Sequence, residues 1–269
     1  MKCGYLQFKP ELCNADANIA KILEMTGSHK KEFDLLVMPE LANSGYLFTS
    51  MDKAISASEE IPHGKFCQTL IKIAQDNNAY IVSGLSERAG DKLFNSSILV
   101  GPNGEVNTYR KTHLFHEEKL WFQPGDSGLN VFEISGGFGK VKVGMMICFD
   151  WIFPEAARTL ALKGAQIIAH PSNLVLEYCQ RAMFTRAIEN HVFTITANRI
   201  GTEVNKKTHK ELFFTGQSVI VDPKGNYLAE GSKDTEEIVI VEIDPNAALN
   251  KDITGMNNIL KDRRTEFYS

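Results

Sequence analysis

The sequence predicts an α/β protein, and three observations carry that reading. Apolar, β-branched runs of strand length recur along the chain, separated by segments whose apolar residues have helical spacing. Pro and Gly fall at the joints. In the run that begins at Val141, a buried strand gives way to a helix with Pro154 in its first turn and Gly164 at its end. The 269 residues, 43% hydrophobic and 23% charged, suffice for a large core, as one big α/β unit or two small ones.

Taken in order, residues 3–8 read as a first strand, ended by Lys9 and Pro10. Asp16 is placed to cap a helix whose Ile19, Ile22, Leu23 and Met25 share one face. Residues 32–38 form a strand buried on both faces, followed by a loop or short turn at 39–47. A second helix spans about 65–75, closed by Asn77 and Asn78, and 80–85 is the next strand. Residues 95–106 form a hairpin that turns at Pro102, Asn103 and Gly104. Residues 216–227 repeat its S-x-x-V-x-P-x-G pattern. The echo points to two similar halves; the alternative is two unrelated hairpins with common turn chemistry.

Residues 109–115 leave the first hairpin, and 121–126 are a loop by composition. A short strand at 130–134 turns through glycines into the strand before Cys148. Beyond the Pro154 helix come a strand at 166–169, a helix at 177–190, a strand at 192–197, an exposed polar loop at 205–210 and a late strand at 237–243. The tail, 253–269, carries Leu260, Arg263, Arg264, Phe267 and Tyr268, and that composition predicts that it docks on something. With no Pro/Ser-rich linker, residues 1–269 read as a single domain.

Charge and composition exclude several function classes. A net charge of −4 and a pI near 6.0 argue against a nucleic-acid partner. Polar residues interrupt every apolar run, so no membrane span is expected, and the apolar start is too short for a signal peptide. Five scattered cysteines with no CxxC pair fit a reducing, cytoplasmic setting. Asn95 begins a match to a glycosylation acceptor, which has no meaning without secretion.

Three apolar strands end in three different reactive groups: Glu40, Lys111 and Cys148. Sites in α/β folds gather beyond the carboxyl ends of strands, so the three can converge. Cys148, between a strand and a helix start, is expected to feel backbone N–H groups and a positive dipole end that lower its pKa. The alternative is a small buried core thiol. A carboxylate raised by burial can take the thiol proton. The thiolate can attack a carbonyl or nitrile carbon, and the lysine ammonium with the Phe149 N–H can hold the oxyanion. Competing arrangements are weaker. His113 and His116 lack a third metal ligand at matching spacing. A papain-like dyad of Cys148 with His170 or His191 is outweighed by Glu40 and Lys111. Cys3, Cys13, Cys67 and Cys179 read as packing or surface residues.

Three segments carry a resemblance: MPEL at 38–41, YRKTHL at 109–114 and CFDWIFPEAAR at 148–158. In that order, over nearly the whole chain from Leu6 to Arg264, they resemble the nitrilase superfamily, the Cys-Glu-Lys carbon–nitrogen hydrolases. The resemblance implies a four-layer αββα sandwich of two mixed sheets with helices outside, and a thioester acyl-enzyme released by water. It assigns Glu40 as base, Lys111 as oxyanion donor and Cys148 as nucleophile. A second family glutamate matches Glu118, which would hold Lys111 and the substrate amine; Glu117 is adjacent, and the alternative for either is a solvated loop carboxylate. Asn173 matches a position near the family pocket, with a turn residue as the alternative. Tyr46, Phe149 and Trp151, with Trp121 and Phe122, would shape the pocket or be ordinary core aromatics.

The resemblance calls for no metal or organic cofactor, and for a homodimer or larger homo-oligomer joined partly by the tail. Nitrilases of this superfamily typically carry Trp-Glu after the nucleophile; here Phe149 and Asp150 follow. That departure ranks small aliphatic amides and N-carbamoyl amines first and nitriles second, and the dicarboxylate ω-amidase branch is less similar after the cysteine. An acyltransferase passing the same thioester to an amine or alcohol is an alternative. A non-catalytic scaffold is opposed by the presence of Glu40, Lys111 and Cys148 together.

Overall fold

A computed structural model of the chain describes residues 1–205 and 207–268; Lys206, in the predicted 205–210 loop, and Ser269, at the tail's end, lie outside the described residues. The first half runs β1 (Lys2–Gln7), α1 (Ala15–Gly27), β2 (Leu35–Val37), α2 (Met51–Ala57), α3 (Lys65–Asn77), β3 (Tyr80–Ala89), β4 (Lys92–Val100) and β5 (Val106–Arg110). Strand side chains alternate between faces. Cys3, Tyr5, Leu35, Val37, Tyr80 and Val82 therefore enter one apolar cluster, between the two sheets. Leu6, Leu36 and Ile81 enter another, shared with Ile19 and Ile22 of α1 and Phe66 and Leu70 of α3. A strand buried on both faces needs apolar residues in a continuous run, and the sequence supplies it.

The second half runs α4 (Glu118–Trp121), β6 (Val131–Gly136), β7 (Gly139–Met145), a 3-10 turn (Cys148–Ile152), α5 (Pro154–Leu162), β8 (Ile167–Pro171), α6 (Cys179–Asn190), β9 (Phe193–Ala197), β10 (Ile200–Val204), β11 (Glu211–Thr215), β12 (Val219–Val221), β13 (Tyr227–Glu230) and β14 (Glu237–Glu242). Among its described residues the tail adds the short pair β15 (Asp252–Thr254) and β16 (Asn257–Asn258) and a last 3-10 turn. Two six-stranded sheets result, ordered β14-β1-β2-β3-β4-β5 and β13-β12-β9-β8-β7-β6. With α1 and α3 over the first and α5 and α6 over the second, the chain forms a four-layer αββα sandwich. Each sheet has three parallel strands flanked by antiparallel ones. The two echoed hairpins, β4–β5 and β12–β13, hold the same edge position in their respective sheets. No helix among the described residues is long and apolar enough to cross a membrane.

Several local expectations are corrected. Asn14, not Asp16, caps α1 by accepting the Ala17 N–H, and Leu23 is largely exposed. The expected 32–38 strand contracts to Leu35–Val37, because Pro39 has no N–H to extend the ladder. The loop expected at 121–126 begins inside the single turn of α4. The 205–210 loop is the tip of a β10–β11 hairpin whose strands carried no clear alternation, and its Asn205 is buried.

Candidate active site

The segments that follow β2, β5 and β7, with the start of α4, bring Glu40, Lys111, Cys148 and Glu118 together. The Glu40 loop leaves β2, and β3 crosses directly beneath it. A side chain at Gly84 would collide with the Glu40 backbone, so this crossing needs glycine. Lys111 is the first residue past β5, and Gly125 donates to its carbonyl at 2.8 Å. Glu118 opens α4, and Cys148 follows β7.

The Lys111 ammonium lies 2.6 Å from Glu40 Oε1 and 2.8 Å from Glu118 Oε1, and all three side chains are buried. Asn95 Nδ2 donates to the same Glu40 oxygen at 2.7 Å. Glu118 Oε2 accepts the Phe115 N–H at 3.2 Å. Glu40 Oε2 is buried without a protein partner. Burial would push the Lys111 ammonium down, but Glu118 and Glu40 together outweigh it and hold its pKa well above the usual range. Burial and the Glu40 charge push the Glu118 carboxyl up to about 7 against the pull of Lys111.

Cys148 takes a left-handed backbone conformation, φ +37°, at the start of the 3-10 turn. Asp150 builds that turn. Its Oδ2 accepts the Ile147 N–H at 2.9 Å and the Tyr109 hydroxyl at 2.7 Å. Its Oδ1 lies 2.7 Å from His113 Nδ1, whose ring stacks on Phe153 at 3.8 Å. The expected low thiol pKa is not found. Burial and the Glu40 charge raise Cys148 well above its ordinary value, and Lys111 and the Asn173 N–H offset this only in part. The physical reason is position: α5 begins only at Pro154, so Cys148 sits in a short 3-10 turn and does not cap a helix. The resting thiol is therefore protonated and needs a base to take its proton.

Phe115, Phe149, Trp151, Leu174, Val175 and Leu176 wall a cavity of about 20 Å³ beside Cys148 and Asn173. Both side-chain polar atoms of Asn173 are buried without a partner there. Tyr46 closes the carboxylate side: its hydroxyl lies 3.4 Å from the Phe115 carbonyl, and burial, then Glu118, Glu40 and Cys148, hold its proton on. The structure thus brings Glu40, Lys111, Glu118, Cys148, Phe149, Asn173, Trp151 and Tyr46 together.

Other candidates lie elsewhere. Glu117 pairs with Lys210 on the surface. Trp121 and Phe122 pack edge-on around Phe48 in a separate cluster. His170 meets the Cys148 carbonyl rather than its sulfur, and His191 meets the Asn250 carbonyl, so neither forms a dyad. Cys3, Cys67 and Cys179 are buried, and Cys13 half-buried, as free thiols. Among the described residues no three His, Cys, Asp or Glu side chains group to hold a metal.

Sequence reasoning missed Asn95, Tyr109, His113 and Asp150 as supports of the site. Asn95 had a signal, an amide within an apolar strand; it bonds Glu40 and is no surface acceptor. A carboxylate, a lysine and a thiol buried together can share out nucleophile, proton carrier and oxyanion donor.

A family profile described as carbon–nitrogen hydrolase matches residues 2–249. A nitrilase of Pyrococcus abyssi is 45% identical over 269 residues, covering 100% of this chain and 99% of its own. The crystal structure of a carbon–nitrogen hydrolase from Helicobacter pylori superposes with a TM-score of 0.83 at 28% identity, covering 100% of this chain and 97% of that one. An amidase of Nesterenkonia sp. AN1, carrying acrylamide on its active-site cysteine, superposes with a TM-score of 0.78 at 25% identity, covering 99% and 97%.

Proposed function

The chain belongs to the carbon–nitrogen hydrolase family, a family of cysteine-nucleophile enzymes, and from that premise we propose that it hydrolyses small, uncharged aliphatic amides. The carrying observation is the cavity beside Cys148. Aromatic and aliphatic side chains wall it, with the unpartnered Asn173 amide among its lining residues. That wall carries no charged side chain, and the nearby charges of Lys111, Glu40 and Glu118 are paired with one another, so a dicarboxylate or an amine-bearing acyl group would be buried without a partner of its own, which is costly.

In this reading Glu40 Oε2 accepts the Cys148 proton as the sulfur attacks the carbonyl carbon. Lys111 and the Phe149 N–H hold the oxyanion. The C–N bond breaks, ammonia leaves with the proton from Glu40, and a thioester remains. Water, deprotonated by Glu40, attacks the thioester, the C–S bond breaks, and acid and thiol are released. Glu118 holds Lys111 in line, and Asn173, Tyr46, Phe149 and Trp151 shape the substrate site. An N-carbamoyl amine would pass through the same steps if its amine remained outside the small cavity. Nitriles are the second reading, favoured by the Pyrococcus relative's name; the same thiolate adds to the nitrile carbon.

The free cysteines support a reducing, cytoplasmic setting. One buried cluster shared by both sheets supports a single 1–269 unit, and Met256, Phe267 and Tyr268, open to solvent, support a tail from about 253 onward that meets a second copy. The test of function is ammonia release from a panel of small amides, N-carbamoyl amines and nitriles by wild type and Cys148→Ala, with intact-mass detection of adducts. Release by wild type alone, with an acyl-sized mass gain, is expected. Amide hydrolysis undiminished in Cys148→Ala would overturn the mechanism.

A further inference from the structure

We propose that His170 is a positioning residue. Its neutral Nε2–H tautomer grips the Cys148 carbonyl, and so aims the Phe149 N–H that shares the same peptide plane. His170 ends the core of β8 and is fully buried. Its Nε2 lies 2.9 Å from the Cys148 backbone oxygen. A carbonyl oxygen only accepts, so Nε2 carries the proton. Nδ1 is then the acceptor, and the Thr196 hydroxyl, 3.1 Å away on β9, donates to it. Ser172 Oγ lies 3.4 Å from Nδ1 and 3.3 Å from Nε2. It is also 3.2 Å from the His170 carbonyl, which gives its proton an acceptor.

The consequence follows from peptide geometry. A trans peptide is planar, and its C=O and N–H point in opposite directions. Holding the Cys148 carbonyl against β8 turns the Phe149 N–H to the other side of that plane. A non-glycine residue at φ +37° persists only when its surroundings over-determine it. Here two clamps do so. Asp150 holds the Ile147 N–H on one side of Cys148, and His170 holds the carbonyl on the other. His170 never touches the reacting atoms; it acts through the backbone of the nucleophile. The inference rests on Cys148 being the nucleophile and on the Phe149 N–H meeting the oxyanion.

Two substitutions separate positioning from mere packing. In glutamine the terminal amide nitrogen reaches where Nε2 lies, whereas in asparagine it reaches only as far as Nδ1. His170→Asn is expected to lower kcat by about 10²-fold, the cost of a misplaced oxyanion donor, with KM within about threefold of wild type. His170→Gln is expected to recover most of that loss. A folded His170→Asn protein with wild-type kcat, or equal losses in the two variants, would overturn the proposal. Should the asparagine variant fail to fold, imidazole 15N NMR of wild type decides: protonation on Nε2 supports the proposal, and protonation on Nδ1 overturns it. That spectrum needs no substrate, so it separates a failure here from a failure of the amidase reading.

Discussion

Lys111 Nζ lies 2.6 Å from Glu40 Oε1, and neither side chain has any exposed surface. The pair is not a surface ornament of the kind worth a fraction of a kcal/mol. Both charges have been taken out of water, and each is tolerable only because the other is there. Glu118 adds a second carboxylate to the same ammonium, so the cluster carries one more negative than positive charge when both are ionised. Burial first, and the Glu40 charge second, raise the Glu118 carboxyl to about 7 and hold the proton on the neighbouring thiol.

Replacing Lys111 with Met keeps much of the packing and removes the charge. Two buried carboxylates then face each other across an apolar stem. The variant is expected to lose about 3–5 kcal/mol of stability at pH 8, as for other broken buried pairs. Part of that loss should return on acidification, because a protonated carboxyl no longer repels its neighbour. Turnover should be lost with the oxyanion donor. Urea unfolding at pH 8 and pH 5 reads both effects; wild-type stability at pH 8 would rule out the buried cluster as described.

Glu118 makes a signed prediction about pH. Its folded-state pKa of about 7 lies above the ordinary 4.5, so the folded chain binds more protons between those values. Stability contributed by this group is therefore greatest at low pH and is lost as pH rises toward about 7. Glu118→Gln removes the titration and should flatten stability over that window. Thermal unfolding of the two proteins across pH 4.5–8, compared pairwise, provides the check, and parallel curves would contradict the assignment.

Continuous apolar strands made the α/β class legible, and reactive groups at strand ends allowed Glu40, Lys111 and Cys148 to converge, whereas the four-layer sandwich was legible only through the family resemblance of the three motifs. The helix expected at about 65–75 extends to Asn77, and Asn78 closes it in the left-handed conformation that Asn tolerates. Asp150 was not legible. It looks like any acidic residue after a nucleophile, and only the fold brings the Tyr109 hydroxyl and His113 to it. The thiol pKa was not legible, because a strand followed closely by Pro154 reads as a helix terminus at Cys148. The chain instead inserts a 3-10 turn there, and burial and Glu40 then dominate. Which of Glu117 and Glu118 faces inward depended on the single turn of α4, too short to leave a periodic pattern.

Because the resting thiol is protonated, its reactivity depends on a neighbouring base. Glu40→Gln keeps a side chain of the same size with no basic oxygen. Turnover should fall by about 10²-fold or more, the usual worth of a general base. Ammonia release reads this directly, and unchanged turnover would assign the base elsewhere.

The tail makes a prediction about assembly. Ile253, Met256, Phe267 and Tyr268 are exposed on the isolated chain, and Arg263 lies against the Tyr268 ring near Arg158. Apolar and arginine side chains of this kind are enriched where proteins meet. Removing residues 253–269 should reduce the assembled mass measured by light scattering while leaving far-UV circular dichroism nearly unchanged. An equal mass for both forms would place the interface elsewhere.

Phe115 tests the size limit of the cavity. Its ring lies 5.0 Å from the Phe149 ring and forms part of the wall beside Cys148. Its contacts with Glu118 and Tyr46 run through its backbone, so truncating the side chain leaves them in place. Phe115→Ala should therefore enlarge the cavity without disturbing Lys111. Each methylene admitted to such a pocket is worth about 1–3 kcal/mol of discrimination. The ratio of kcat/KM for a five-carbon amide to that for a two-carbon amide should rise by at least about tenfold in the variant. An unchanged ratio would mean that acyl length is read by another wall, with Leu174 and Trp151 the next to truncate.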